Sequence, residues 1–139
     1  MEYKRFKDKI VVRIDSGTDI IDALERVCVE EGVWTAQVTA IGAISQFTVS
    51  LYKTAQKKYV ETQYSGNYEI VSLMGNVTTQ SGRFYCHLHM SAIGKDGVMV
   101  GGHLVNAAVS STCEMIISVI DGKVERKRNP VIGLNVLKF

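Results

Sequence analysis

Beyond residue 33 the chain reads almost continuously as β-strand, and this restricts its fold more than any other feature. The segments "VWTAQVTAIGAI", "FTVSLYK", "YEIVSLMGNVTT", "RFYCHLHMSAI", "VMVGGHL" and "STCEMIISVI" follow one another, with "KIVVRI" ahead of them. They are rich in Val, Ile, Thr and aromatic residues, whose side chains fit a pleated surface. Ser81-Gly82, Asp96-Gly97 and Asp121-Gly122 punctuate them as turns. The ending "VIGLNVLKF" is apolar again and predicts a docked last strand. Only "SGTDIIDALERVCVEEG", residues 16–32, has helical spacing, with Ile20, Ile21, Leu24, Val27 and Cys28 on one stripe. Ser16 or Thr18 can cap its first amides, Asp19 and Asp22 suit the positive end of the dipole, and Gly32 can supply a left-handed stop. Strands in succession with one main helix predict an α+β class: a single antiparallel-rich sheet with the helix packed on it.

No linker, repeat or low-complexity segment interrupts the 139 residues, so one domain over 1–139 with a sizeable core is expected. A net charge of +2 is too small for a strong electrostatic grip on nucleic acid or an acidic membrane. The start "MEYKRFKDK" has no apolar run behind it, and no stretch approaches transmembrane length, so neither a signal peptide nor a membrane partner is expected. Cys28, Cys86 and Cys113 are odd in number and include no C-x-x-C pair. That argues against a disulfide framework or a zinc ribbon and suits a reducing cytoplasm. The basic clusters "EYKRFKDK" and "VERKRN" are broken by Glu2, Asp8 and Glu125, which reads as solvated surface.

Every histidine falls within "GRFYCHLHMSAIGKDGVMVGGHL", residues 82–104. In a strand, side chains at i and i+2 leave the same face, so His87 and His89 point together while Cys86, Leu88 and Met90 point away. Gly94-Lys95-Asp96-Gly97 can turn the chain back and lay "VMVGGHL" antiparallel nearby, so that His103 completes a three-nitrogen set. Three imidazoles at about 2.0–2.1 Å anchor zinc and leave a fourth position to water. Gly101-Gly102 would let backbone approach or bend around a ligand. Of Cys113 and Glu114 only one can face such a site; the carboxylate suits it, as an orienting partner of an imidazole or a carrier of protons from bound water. Spacing leaves the plain reading open as well: a half-exposed H-x-H on a sheet, with His103 bonded to backbone.

Other residues carry less. Trp34 and Tyr52 suit the core or a subunit interface. Arg83 stands where an anionic substrate could meet the mouth of the site, or on plain surface. "GKDGVMVGG" lacks the lysine-hydroxyl ending of a P-loop and reads as a turn. "AIGAI", residues 40–44, reads as a strand kink or a close approach of backbone to the pocket.

The blocks "YEIVSLMGNV", "GRFYCHLHMSAIGKDGVMVGGHL" and "STCEMIISVI" resemble those of the plants-and-prokaryotes-conserved (PPC) domain, the domain attached in plants to AT-hook DNA-binding proteins. "TAIGAISQFTVSLY" and the helix "GTDIIDALERVCVEEG" resemble the first half of the same family. The resemblance implies one antiparallel-rich sheet with packed helices, assembled as a homotrimer. It also implies that His87, His89 and His103 match the three histidines with which prokaryotic members can hold zinc. The fold is similar to that of acetolactate decarboxylase, whose zinc is likewise held by three histidines; fold alone does not carry function.

Two functions follow as expectations, with a structural zinc that only fastens strands or subunits as a third alternative. The first is a zinc-binding homotrimer that, if it is an enzyme, acts on an unknown small carbonyl or carboxylate compound as lyase or hydrolase, with Glu114 as proton carrier. The second is a DNA-associated or regulatory binding module without catalysis, the label that prokaryotic members borrow from the plant proteins. Against it, the chain has no Arg-Gly-Arg-Pro arm to enter an A·T minor groove.

Overall fold

The structure, a computed structural model, describes residues 1–139. Strands β1 (Glu2–Phe6) and β2 (Lys9–Asp15) precede the helix α1 (Ile20–Glu30). Then come β3 (Ala36–Lys53), β4 (Lys58–Gln80), β5 (Arg83–Gly94), β6 (Met99–Val119), β7 (Glu125–Asn129) and β8 (Leu134–Lys138). All eight strands belong to one sheet in the order β1-β2-β6-β3-β4-β7-β8, with β5 paired to both β4 and β6. Every pairing is antiparallel except the short parallel contact of β4 with β7 at Thr79 and Glu125. The α+β expectation holds.

Three strands are longer than the sequence pattern suggests, because bends inside them do not end them. "VWTAQVTAIGAI" and "FTVSLYK" run on as β3, with register shifts between Ala40 and Gly42 and between Ile44 and Gln46. The "AIGAI" segment is therefore a kink. A Cβ on Gly42 would lie 2.5 Å from the Thr112 carbonyl oxygen, so only glycine lets the bent strand press on β6. The bend divides the pairing of β6: its first half lies between β5 and the end of β3, its second half between β2 and the start of β3. The contacts β6–β3–β4–β5–β6 thus close on themselves. This closure brings the two histidine-bearing segments edge to edge.

The core fills the inner face by strict alternation. Ile10, Val12 and Ile14 of β2 and Cys113, Met115 and Ile117 of β6 are buried, and α1 covers them with Ile20, Ala23, Leu24, Val27 and Cys28. Ile21 is only partly buried, and Ala23 takes its expected place on the stripe. The helix ends as expected: Gly32 has φ of 64°, its N–H reaches the Val29 carbonyl, and the Val33 N–H reaches that of Cys28. Its start differs. Asp19 is the cap, accepting from the amides of Ile21 and Asp22, while Ser16 donates to the Ser110 carbonyl. The first helical residue is Ile20, so only Asp19 is placed to cap it.

The second Asp19 oxygen accepts the Ala107 amide of β6 at 2.8 Å, tying helix to sheet. Asp19→Ala is expected to lower the unfolding free energy by about 2 kcal/mol, the upper range for a lost cap, because a strand amide is orphaned with it. A urea melt against the parent measures it; a change within error would mean that the cap is redundant.

The charged start, read as solvated, forms the edge strand β1 on β2. Its side chains are mostly exposed, and charge on an edge discourages further strand addition. Trp34 is 48% exposed with the Lys123 ammonium 5.2 Å from its ring centroid, so it lies outside the core of the chain. No helix is long and apolar enough to cross a membrane.

Candidate metal centre

His87 and His89 leave β5 on the same side, as strand parity requires, and Leu88 and Met90 are buried on the other. Cys86 packs against the core, on the opposite side of β5 from the two imidazoles, and burial pushes its thiol up to about 11. The turn through Asp96-Gly97 returns the chain as β6, with His103 directly opposite His89 in the register. The three rings stand nearly equidistant, with centroids 5.1, 5.2 and 5.5 Å apart. One nitrogen from each lies within 4.8 Å of the others.

Two features show that this cluster fits a metal ion. The Nε2 atoms of His87 and His89 are 3.2 Å apart. Two nitrogens bound tetrahedrally at 2.0–2.1 Å would be separated by about 3.3 Å, so this pair needs almost no movement. The Nδ1 of His103 is buried and has no hydrogen-bond partner. An orphaned buried polar atom costs about 1–3 kcal/mol, which a ligand would relieve.

The electrostatics point the same way. His103 has its pKa pushed down to about 4, first by burial and then by His87 and His89. That of His87 is lowered too, by burial, by His89 and by Arg126. Both are neutral at pH 7, the form whose lone pair binds metal. For the metal-free protein the consequence has a definite sign. As pH falls below the ordinary histidine value of 6.5, the unfolded chain takes up a proton at His103 that the folded chain refuses. Stability is therefore full above pH 6.5 and is lost as pH falls toward about 4. Allowing for the partial exposure of the ring, the loss from this group is on the order of 1–2 kcal/mol. Urea melts at pH 7, 6 and 5 check it against His103→Gln, which should lose this part of the slope.

Glu114 does not join the histidines within one chain. It is exposed on the outer face of β6, opposite Arg13 and Ile41, while Cys113 takes the core position. From His89 the register runs across Met74 and Thr39 to Ile116, three strand spacings or roughly 14 Å. Glu114 lies farther along still, in a groove lined by Val11, Ile41, Val71, Met74 and Ile116. The expected proton-carrying role is out of reach inside a single chain. Arg83 is exposed four residues from His87, beside the Ser81-Gly82 turn. The glycine pair also serves differently from expectation: a Cβ on Gly101 would collide with the Met90 carbonyl, and one on Gly102 with that of Ser50. Close strand packing, rather than ligand access, explains them.

Residues that sequence reasoning did not assign to the site surround the cluster. Tyr59 packs on His103 at 5.1 Å with the rings tilted by 32°, and Tyr52 packs on Tyr59 at 4.9 Å. Asn76 stands opposite His87. Arg126, read with "VERKRN" as solvated surface, is only 8% exposed and bonds to the Asn76 side chain at 2.8 Å.

The model of the Plants and Prokaryotes Conserved domain matches residues 1–121. The chain belongs to this family. Among solved structures, a Bacteroides thetaiotaomicron protein with a provisional DNA-binding label is 30% identical, covering 99% of this chain and 96% of its own, with a TM-score of 0.96. A metal-containing protein from Archaeoglobus fulgidus is 32% identical over 99% of this chain and 97% of its own, with a TM-score of 0.90. Acetolactate decarboxylase from Bacillus subtilis shares the fold at 16% identity and a TM-score of 0.58, covering 84% of this chain and 54% of its own. A search of curated proteins finds no match. For this PPC-domain chain, then, family and fold are settled, and a histidine cluster able to hold a metal sits at the closure of the sheet.

Proposed function

We propose that the chain is a zinc-binding homotrimer whose His87, His89 and His103 leave one coordination position open to a small carbonyl or carboxylate compound. The observation that carries this reading is the convergence of three imidazoles with no carboxylate or thiolate among them. Three protein nitrogens are the ligand set of an open zinc site, whereas structural sites are closed by four protein ligands. Zinc held by these three residues would supply Lewis-acid polarisation of a carbonyl or carboxylate oxygen and a more acidic bound water, the chemistry of a lyase or hydrolase. The chain's own part is to present the imidazole rings at a preset spacing and to shield His103 beneath Tyr59. The metal content of the Archaeoglobus relative supports the reading.

A homotrimer suits the outer face of the sheet. Val11, Ile41, Val71, Met74 and Ile116 are exposed there together, with Arg13 and Glu114 beside them supplying both signs of charge. Met74 also borders His89, so a second copy on this face would adjoin the metal site. Light scattering should give three times the 15.4 kDa of one chain, and Val71→Glu should reduce it to one.

Elemental analysis of protein purified without an affinity tag tests the zinc. About one equivalent per chain is expected after zinc is offered; none would remove the proposal. The DNA-associated alternative has the label of the Bacteroides relative in its favour. A salt titration against mixed duplex DNA is expected to show no binding near physiological ionic strength; affinity with a steep salt slope would favour the alternative.

A further inference from the structure

Arg126 is a buried cation without a counter-ion. None of the seven ion pairs in the structure includes it, although it is 8% exposed. Its neighbours are neutral. Nε donates to Thr78 Oγ1 at 2.8 Å, Nη1 to the Asn135 carbonyl at 3.0 Å, and Nη2 to Asn76 Oδ1 at 2.8 Å. The guanidinium lies over the Tyr85 ring, 4.8 Å from its centroid. A guanidinium keeps its charge at any physiological pH, and neutral acceptors lessen the cost of burying it without cancelling the charge. Such a group favours an anion.

Three of the five guanidinium N–H groups are engaged, which leaves one on each terminal nitrogen. Two N–H groups on one guanidinium match the two oxygens of a carboxylate. The position is equally specific. Tyr85 leaves β5 on the same face as His87, two residues away, and Asn76 faces His87 across the β4–β5 ladder. The nearest carboxylate in sequence, Glu125, is turned away onto Thr79 Oγ1 and the Gly82 amide. The imidazole cluster and the buried guanidinium therefore sit side by side with no acid between them.

We propose that Arg126 is the carboxylate-recognising residue of this site, and that the compound bound at the histidines is a small hydroxy or oxo acid. Its carboxylate would lie on the guanidinium and its hydroxyl or carbonyl oxygen would face the imidazoles. This rests on the metal-site reading above and narrows it from carbonyl or carboxylate compounds in general to anions carrying both groups. Arg126 acts here in binding and orientation.

Glycolate, the smallest hydroxy acid, is a suitable probe, with 1,2-ethanediol as its uncharged counterpart. In cobalt-loaded protein the visible absorption should change on glycolate addition and not on addition of the diol. Arg126→Gln should take up cobalt as the parent does and bind glycolate at least about tenfold more weakly, the loss of a charge-assisted bond pair. Equal glycolate affinity in parent and variant overturns the inference. Should the variant fail to fold, side-chain N–H resonances of Arg126 in nitrogen-15-labelled parent protein give the answer directly. They should move with glycolate and not with the diol, whether or not cobalt is bound; resonances that stay fixed overturn it. Failure of the metal reading looks different: no cobalt spectrum forms at all, while Arg126 still responds to glycolate.

Discussion

His87→Ala and His89→Ala should each lower affinity at the proposed zinc site by roughly three orders of magnitude or more. Zinc closed by four protein ligands contributes about 10–16 kcal/mol at neutral pH, so a single protein ligand carries several kcal/mol. The fold should survive both changes. His89 is exposed and His87 half-buried, and neither belongs to the core that holds the sheet together. Truncating either ring also removes a partner of the 3.2 Å nitrogen pair, so no two-nitrogen remnant keeps the original spacing. Competition with a chromophoric chelator measures the affinity, and far-ultraviolet circular dichroism measures the fold. An alanine variant that binds zinc as tightly as the parent would place the metal elsewhere.

Gly75→Ala should have the largest effect on the scaffold. Gly75 pairs with Leu88 in the β4–β5 ladder, and a Cβ there would overlap the backbone carbonyl oxygen of His87. Backbone cannot swing aside as a side-chain tip can, so β4 and β5 must separate. Overpacking of this kind costs about 3 kcal/mol or more where relaxation is blocked. The strain falls on His87, one of the three proposed ligands, so zinc affinity should drop together with stability. Urea denaturation and chelator competition on the same variant test the coupling. Lost stability with unchanged zinc affinity would show that the strand shifts as a rigid unit.

What the sequence made legible was local. The parity of His87 and His89 follows from alternation along one strand, and the short turn at Asp96-Gly97 places His103 opposite His89. Helix α1 was readable from the recurrence of its apolar residues, though not its cap, since three polar residues precede Ile20 and only the helix start selects Asp19. Glu114 could not be placed, because its distance from the histidines depends on which strands intervene, and that depends on the bend at Gly42. Arg126 was hidden for a related reason. "ERKRN" shows no apolar alternation, and the residues that bury its guanidinium, Asn76, Thr78 and Asn135, lie on other strands. The partners of a strand in a closed sheet are a long-range property, and neither charge runs nor periodicity encode them.

X-ray absorption at the zinc edge of the loaded protein tests the central claim most directly. The account predicts a first shell of three imidazole nitrogens and one exchangeable oxygen at about 2.0–2.1 Å. A shell containing sulfur, or one made of four protein ligands, would contradict it.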